Sequence, residues 1–352
     1  MPIKKNRPRV GRRKKGTGSS LPKTALAIFL ITAALLKSGA ADKLEQSVKR
    51  AGNLFASAQN SKHVSMNASS FDVDICESSM PYFPSGYSET LIETESPVSV
   101  TIDGSSGAYA GESPVYVKNE TDYEIDIDAL LSAPDKVELS GSDVQVLIMH
   151  THGTEAYTPT SQNNYTPSDT DRTTDNRYNM VRVGDEITSV LNQRGIKTVH
   201  SDTLNDSPAY SGSYNRALED ITAYIKEYPS VKLVIDVHRD AITASDGTKY
   251  KTVAQIDGAD TAQLMLVCGT DAGGLTHDSW QDNLSFQLKI QKEMNTRYPG
   301  IMRPLDIRAA RFNQHVTPGS MILEVGTSGN TLEEALSSAR LFAETLADML
   351  LN

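Results

Sequence analysis

From residue 143 onward, the apolar positions switch repeatedly between two periods. Val144-Gln145-Val146-Leu147-Ile148-Met149 is a short run of strand length. Met180, Val183, Ile187, Val190 and Leu191 then recur at helical spacing until Gly195 stops the helix. Ile196 to His200 gives a second strand, and Tyr214, Leu218, Ile221 and Ile225 mark a helix halted before Pro229. Val231 to Asp236 is a third strand whose composition predicts burial on both faces, and Thr261 to Cys268 is a fourth. Trp280, Leu284 and Leu288 begin another helix, and Met321 to Val325 makes a late strand. Thr331 with Glu334 forms a capping box for a last helix bearing Leu332, Leu336, Ala339, Ala343, Leu346 and Leu350. Such alternation predicts one α/β domain over residues 141–352, with a mostly parallel sheet flanked by helices. Open sheets of this kind bind ligands beyond the carboxyl ends of their strands.

Upstream the pattern disappears. Residues 42–140 are acidic and serine-rich, with 14 serines from Ser57 to Ser113. Such composition buries little surface and predicts a mostly disordered, low-complexity spacer, in which Pro114-Val115-Tyr116-Val117 is a short piece able to pair or to bind a partner. Before it, Thr24 to Leu36 is a run of 13 uncharged, mostly apolar residues. That is shorter than the roughly 20 residues of a spanning helix and close to a signal-peptide core. Two readings of the 24–41 segment stand. Ser38-Gly39-Ala40 offers a small-residue cleavage site, with Lys37 awkwardly placed, whereas snorkelling by Lys23 and Lys37 lengthens the run into an uncleaved anchor, the favoured reading.

Charge orients that segment. Residues 1–23 carry nine Lys or Arg and no acid, whereas the rest carries 25 basic and 44 acidic side chains, a balance of −19 within an overall −10. The positive-inside rule makes residues 1–23 a cytoplasmic head and places the acidic bulk outside the cytoplasm. A topogenic signal accounts for the basic head without nucleic acid. Cys76 and Cys268 lack any CxxC or zinc-knuckle spacing and are expected to be independent thiols, which excludes a cysteine metal site.

Candidate chemistry gathers at two strand ends. His150-Thr151-His152-Gly153-Thr154-Glu155 closes the first strand, and Asp236-Val237-His238-Arg239-Asp240, 86 positions after His152, closes the third. A hydrolytic zinc ion takes three protein ligands and leaves one position for water. His152 and Glu155, three apart across a turn, with His238 from a neighbouring strand end, resemble the ligand set of zinc carboxypeptidases. His150 shares the face of His152 if the strand continues, as a ligand or a hydrogen-bond donor to one. Asp236 and Asp240 flank His238 at the same period, and one of them is expected to orient an imidazole. Arg239 either holds a substrate carboxylate or pairs with a neighbouring acid. Glu324, an acid inside an apolar run, is expected to be the general base that deprotonates the attacking water and protonates the leaving amine. Asp175 competes as third ligand, or simply caps the first helix. His63, His200 and His277 read as solvated, and His315 as lining the site. The polar loop from Tyr157 to Arg177 is either a groove wall or a flexible insertion. No Gly-x-Ser-x-Gly elbow or phosphate-cradling glycine loop follows a strand.

Taken together, His-Thr-His-Gly-Thr-Glu-Ala-Tyr-Thr-Pro (150–159), Tyr-Asn-Met-Val-Arg-Val-Gly-Asp (178–185), Asp-Val-His-Arg-Asp-Ala (236–241), Leu-Glu-Val-Gly (323–326) and Asn-Thr-Leu-Glu-Glu-Ala (330–335) resemble the stage II sporulation protein P family. The resemblance covers about residues 140–352. It implies a zinc N-acetylmuramoyl-L-alanine amidase fold that cuts the amide between muramic acid and the peptide stem of peptidoglycan, with endopeptidase action on cross-links also attributed to the family. It further implies a membrane anchor, a sporulating bacterium, and work with a lytic transglycosylase partner, stage II sporulation protein D, during engulfment. On the same comparison zinc ligation falls on His152 and His238, the terminal catalytic glutamate on Glu324, and the third ligand of related amidases on Asp175, which leaves it contested with Glu155; Glu155 is preferred on chelate geometry. A zinc carboxypeptidase acting on wall peptides and a non-catalytic wall-binding module are the alternatives.

Overall fold

A computed structural model describes residues 64–67, 96–103, 114–139 and 141–351. It opens with β1 (Val64–Asn67), β2 (Val98–Asp103), β3 (Val117–Asn119) and α1 (Ile127–Ser132), whose N-cap Asp126 accepts from the Ala129 N–H. The predicted alternation follows. It comprises β4 (Val146–Met149), α2 (Met180–Gln193), β5 (Thr198–His200), α3 (Ser213–Glu227), β6 (Leu233–Asp240), β7 (Tyr250–Ile256), β8 (Ala259–Ala262), β9 (Leu264–Gly269), α4 (Trp280–Arg297), β10 (Leu305–Arg308), β11 (Met321–Thr327) and α5 (Leu332–Leu351). Local chemistry sets the helix ends. Asn179 caps α2 by accepting from the Val181 N–H, and Gly195 beyond its end takes φ 87°. At α5 the Glu334 N–H donates to Thr331 Oγ1 at 3.2 Å while the Thr331 N–H donates to Glu334 Oε2 at 3.1 Å, the reciprocal pair the sequence predicts.

Seven strands form the main sheet in the order β3-β10-β9-β11-β6-β4-β5, and each neighbouring pair is parallel except β9 with β11. A second sheet has the order β1-β2-β7-β8. β7 and β8 form a hairpin closed by Asp257 and Gly258 at φ 52° and 79°, the left-handed pair that a two-residue turn requires.

Two expectations are corrected here. The single strand expected over Thr261 to Cys268 is split at Gln263, which passes the chain from one sheet to the other. The Gln263 side chain is fully buried, accepts from the Ile102 N–H at 2.8 Å and donates to the carbonyls of Ile102 and Gly300. Parts of the 42–140 stretch read as disordered spacer are instead built into the fold. β2 pairs with β7, β3 pairs with β10, and Val115, Val117, Ile127 and Val137 join the main core. Four apolar side chains suffice because the sheet and α4 supply the other wall. The head at 1–23, the segment at 24–41, Cys76 and His63 lie outside the described residues. Among the described residues no helix is long and apolar enough to cross a membrane, and Cys268 is a buried free thiol.

Alternation of side chains across the strands gives the two faces of the main sheet different covers. Val146, Ile148, Ile235, Val237, Leu266 and Leu323 pack with buried residues of α2, α4 and α5. On the opposite face, Leu147, Met149 and Val234 meet Ala217 and Ile221 of α3. Farther along that face, Met265, Val267 and Ile322 meet Phe312, which comes from a loop. Each fully buried aliphatic side chain contributes roughly 1.5–3 kcal/mol. The face under α2, α4 and α5 anchors the sheet, and on the α3 face His238 of β6 stands in register with Glu324 of β11.

Candidate active site

β4 stops at Met149, and residues 151–154 form a tight turn. Two threonines bracket that turn in the same way. Thr151 donates its N–H (2.7 Å) and its hydroxyl (2.6 Å) to the two oxygens of Asp236. Thr154 does likewise to Asp206, at 3.1 and 2.6 Å. Between them Gly153 lies under Leu204, whose Cδ2 would be 2.8 Å from an added Cβ. The turn is thus held from both sides, and it presents His152 and Glu155 towards β6.

There they meet His238. The imidazole centroids of His152 and His238 are 5.2 Å apart with planes at 88°. Glu155 Oε2 lies 3.7 Å from His238 Nδ1, and Asp236 Oδ1 lies 2.9 Å from His238 Nε2. Glu324 on β11 is the registered partner of His238, so the two share a face of the sheet. His152, Glu155, Asp236 and His238 are all buried, and Glu324 is half-buried.

Burial sets the protonation states unless a charge opposes it. It pushes His152 down to about 3, leaving a neutral imidazole. Burial would also lower His238, but the Asp236 carboxylate beside it, with Glu155 and Glu324, outweighs that and holds it well above the ordinary histidine range. Burial would raise Glu155, yet Arg239 and Arg172 keep it below the usual carboxylate range.

Other expected members stand elsewhere. Alternation after Val146 and Ile148 keeps His150 on the face covered by α2, and it is His152 that leaves that face, because β4 ends at Met149. His150 Nδ1 is 2.9 Å from the Val237 carbonyl and its Nε2 is 2.8 Å from His200 Nε2, so His200 is not solvated either. Asp240 pairs with buried Arg303 at 2.7 Å, so of the two flanking aspartates it is Asp236 that reaches the imidazole. Arg239 donates through Nε to the Ala156 carbonyl and through a terminal nitrogen to that of Asp171, while its backbone N–H donates to Glu155 Oε2 at 3.2 Å. It ties the 155–171 segment to β6. Asp175 pairs with Arg177, whose guanidinium holds its carboxyl below the usual range, and the N-cap of α2 is Asn179. The 157–177 loop is pinned: Tyr157 donates to the Val325 carbonyl at 2.8 Å, and Asn163 donates to Glu333 at 2.7 Å.

A sequence model described as stage II sporulation protein P matches residues 41–347. The chain belongs to the stage II sporulation protein P family. It is 26% identical over 223 residues to stage II sporulation protein P of Bacillus subtilis (strain 168). That alignment covers 60% of this chain and 52% of the relative, so it spans about half of the relative's length. Among solved structures, an N-acetylmuramoyl-L-alanine amidase from Clostridium difficile 630 is similar at TM-score 0.34 and 13% identity, covering 60% of this chain and 96% of that one. The amidase AmiC2 of Nostoc punctiforme gives 0.33 and 15%, covering 60% and 97%. At these scores the structural likeness carries no weight beside the family match.

For a member of this family the question is whether the strand-end residues suit zinc. Among the described residues, no three His, Cys, Asp or Glu side chains stand close enough as placed to hold a metal ion. The donor types nevertheless fit: His152 is neutral, Glu155 is held as a carboxylate with its Oε2 3.7 Å from His238 Nδ1, and His238, which the neighbouring carboxylates hold protonated, would ligate on giving up that proton. Two ligand atoms on one tetrahedral ion at ~2.05 Å are ~3.4 Å apart. The shortfall is one of side-chain approach.

Sequence motifs gave no sign of four further residues. Arg172 donates to Thr154 Oγ1 (3.1 Å), Asp206 Oδ2 (2.5 Å) and Glu155 Oε1 (3.3 Å), and its guanidinium carbon stands 5.1 Å from the Tyr210 ring centroid. Tyr210 stacks on His152 at 4.4 Å and 11°, and Tyr214 meets the same imidazole edge-on at 5.7 Å. Asp206, Tyr210 and Tyr214 lie in the stretch leading into α3, whose only visible signal is its turn-rich Asn205-Asp206-Ser207-Pro208.

Proposed function

We propose that this chain is a membrane-anchored, zinc-dependent peptidoglycan hydrolase that cleaves the N-acetylmuramoyl-L-alanine amide during spore engulfment. The observation that carries the reading is Glu324 in register with His238, on the sheet face where His152 and Glu155 converge. His152, His238 and Glu155 would hold the zinc ion, which supplies Lewis acidity towards the amide carbonyl and the attacking water. Glu324 takes the proton of that water and returns it to the leaving nitrogen of L-alanine. Asp236 fixes His238, and Arg172 and Arg239 fix Glu155. Cleavage of stem-peptide cross-links belongs to the same proposal, as do a single anchor at 24–41, an extracytoplasmic catalytic domain, and a lytic transglycosylase partner of the stage II sporulation protein D type.

A carboxypeptidase reading requires a free cation for a substrate C-terminus, from Arg239 or Arg308; Arg239 is committed to Glu155 and two carbonyls, and Arg308 pairs with Asp306 at 2.9 Å. Digestion of purified peptidoglycan by the full chain, with metal analysis of the same sample, tests the proposal. It expects one equivalent of zinc, stems with a free L-alanine amine and denuded glycan. Glu324→Gln should retain zinc and lose hydrolysis by ~10²-fold or more, by the usual weight of a general base. Full hydrolysis by Glu324→Gln and His152→Ala would refute the site.

A further inference from the structure

Two histidines that the proposed chemistry does not use meet between the loop after β9 and the chain leaving β10. Gly269 and Gly273 let that loop lie flat on its neighbour: an added Cβ would stand 2.3 Å from the Ala310 carbonyl oxygen and 2.1 Å from that of Ala309. Thr270 donates its N–H to the Ala310 carbonyl at 3.0 Å, and Arg311 Nη1 donates to that of Thr276 at 3.3 Å. Gln314 closes the far side, accepting from the Gly269 N–H at 3.0 Å and donating to the Val267 carbonyl at 2.8 Å. His277 on one segment is thereby set against His315 on the other, with ring centroids 6.4 Å apart and planes at 79°. Because β9 runs antiparallel to β11, this loop leaves the sheet where β11 begins, at the end away from Glu324.

We propose that His277 and His315 form a metal site, separate from that of His152 and His238, which takes a divalent first-row transition ion and clips the two segments together.

Three observations carry it. First, His277 is fully buried and neither of its ring nitrogens has a hydrogen-bond partner among the described residues; the buried Nδ1 of His315 has none either. A neutral imidazole carries one donor and one acceptor, so leaving them unmet in the interior costs free energy that a ligand on these nitrogens offsets. Second, the separation suits one shared ion. At ~2.05 Å from ion to nitrogen, two imidazole centroids stand ~5.2–6.4 Å apart as the angle between the ligands opens from tetrahedral to linear. The observed pair lies at the outer end of that range, and the half-buried His315 is the ring that would swing inward. Third, the surroundings suit a cation. Burial above all, then His315 and Arg311, lowers His277 to about 4, which leaves it neutral at pH 7 as a ligand must be, while Asp271 and Asp278 supply the opposite sign. Two carboxylates outweigh the one guanidinium, which is turned to the Thr276 carbonyl. Imidazoles select zinc, nickel or copper, whereas magnesium and calcium take oxygen ligands. Water completes the coordination.

Trp280 is a built-in reporter. It is the only tryptophan of the chain, and its N–H donates to the His277 carbonyl at 3.3 Å. The test titrates the untagged full chain, carrying one equivalent of zinc, with Ni²⁺ and follows the fluorescence of Trp280. Wild-type protein should show saturable quenching. His277→Gln and His315→Gln should each weaken the apparent Ni²⁺ affinity at least ~10-fold, a loss that even residues holding a ligand ordinarily cause, and His152→Ala should leave it unchanged. His315 is only half-buried, so His315→Gln decides the matter if His277→Gln does not fold. Three results overturn the site: no quenching in wild type, undiminished quenching in His315→Gln, or loss of quenching in His152→Ala, which would assign the signal to the catalytic centre.

Discussion

Arg172 joins Glu155 to Asp206 across the 151–154 turn and carries the charge that, with Arg239, keeps Glu155 ionised. Residues that orient a ligand commonly alter metal affinity 10–100-fold when removed. Arg172→Gln is expected to weaken zinc binding by at least ~10-fold in competition with a chromophoric chelator, while the hydrogen bonds of Thr154 to Asp206 preserve the turn. Equal affinity in both proteins would show that Arg239 alone positions the carboxylate. A different residue-scale effect is expected at His277, which reads as solvated from its polar surroundings but is fully buried, with neither ring nitrogen hydrogen-bonded among the described residues. Burial, then His315 and Arg311, lower it from 6.5 to about 4, against the opposing pull of Asp271 and Asp278. Above pH 6.5 the folded and unfolded chains are both neutral at this residue. As the pH falls from 6.5 towards 4, the unfolded chain takes a proton that the folded chain refuses, so stability declines, by at most about 1.4 kcal/mol per pH unit. Urea unfolding at pH 7.5 and 5.0 should show a smaller acid loss for His277→Gln than for wild type; identical losses would assign the acid limb to other groups.

At the scale of elements, α2 lies close to the sheet because Gly184 has no side chain. A Cβ there would stand 2.5 Å from His200 Nε2 and 2.7 Å from His150 Nε2, the two atoms that face each other at 2.8 Å. Overpacking of this kind costs roughly 1–3 kcal/mol, so Gly184→Ala should lower the melting temperature despite the better helix propensity of alanine. An unchanged or raised melting temperature would mean that the histidine pair yields freely. The helices and most strands were legible because long apolar periods persist through α2, α3 and α5, and because the capping box of α5 is purely local. β10 was not, since Leu305 to Arg308 alternates over only four residues. The β7–β8 hairpin carried an Asp257-Gly258 signal that the apolar periodicity alone did not use. In the site, His152, Glu155 and His238 stand at strand ends that sequence locates. The partners of His150 and Asp240 depend on His200 at the end of β5 and on Arg303 arriving from a distant loop, which no local pattern encodes.

The whole molecule does not begin at the first periodic strand. Val115, Val117, Ile127 and Val137 are each under a tenth exposed and belong to the core that lies beneath α2, α4 and α5. Polar contacts reinforce the attachment: Gln291 bridges the N–H and carbonyl of Tyr116 at 2.8 and 2.9 Å, and Ser285 donates to the Leu130 carbonyl at 2.7 Å. Removing residues before 140 would expose these partners and strip β3 from β10, leaving β10 paired only with β9 and its other edge open to pairing with other chains. Four buried aliphatic side chains represent ~6–12 kcal/mol of gross burial. Ordering the segment offsets part of that, yet the remainder is comparable with the ~5–15 kcal/mol that holds a domain folded. A chain of residues 140–352 is therefore expected to melt at least ~10 °C below one of residues 63–352, or to aggregate, at 1 kcal/mol for roughly 2–4 °C in a domain of this size. Scanning calorimetry of the two chains decides the matter: coincident transitions would restore the view that everything before residue 140 is spacer, whereas a lowered or lost transition makes residues 114–139 part of the structure that carries His152, His238 and Glu324.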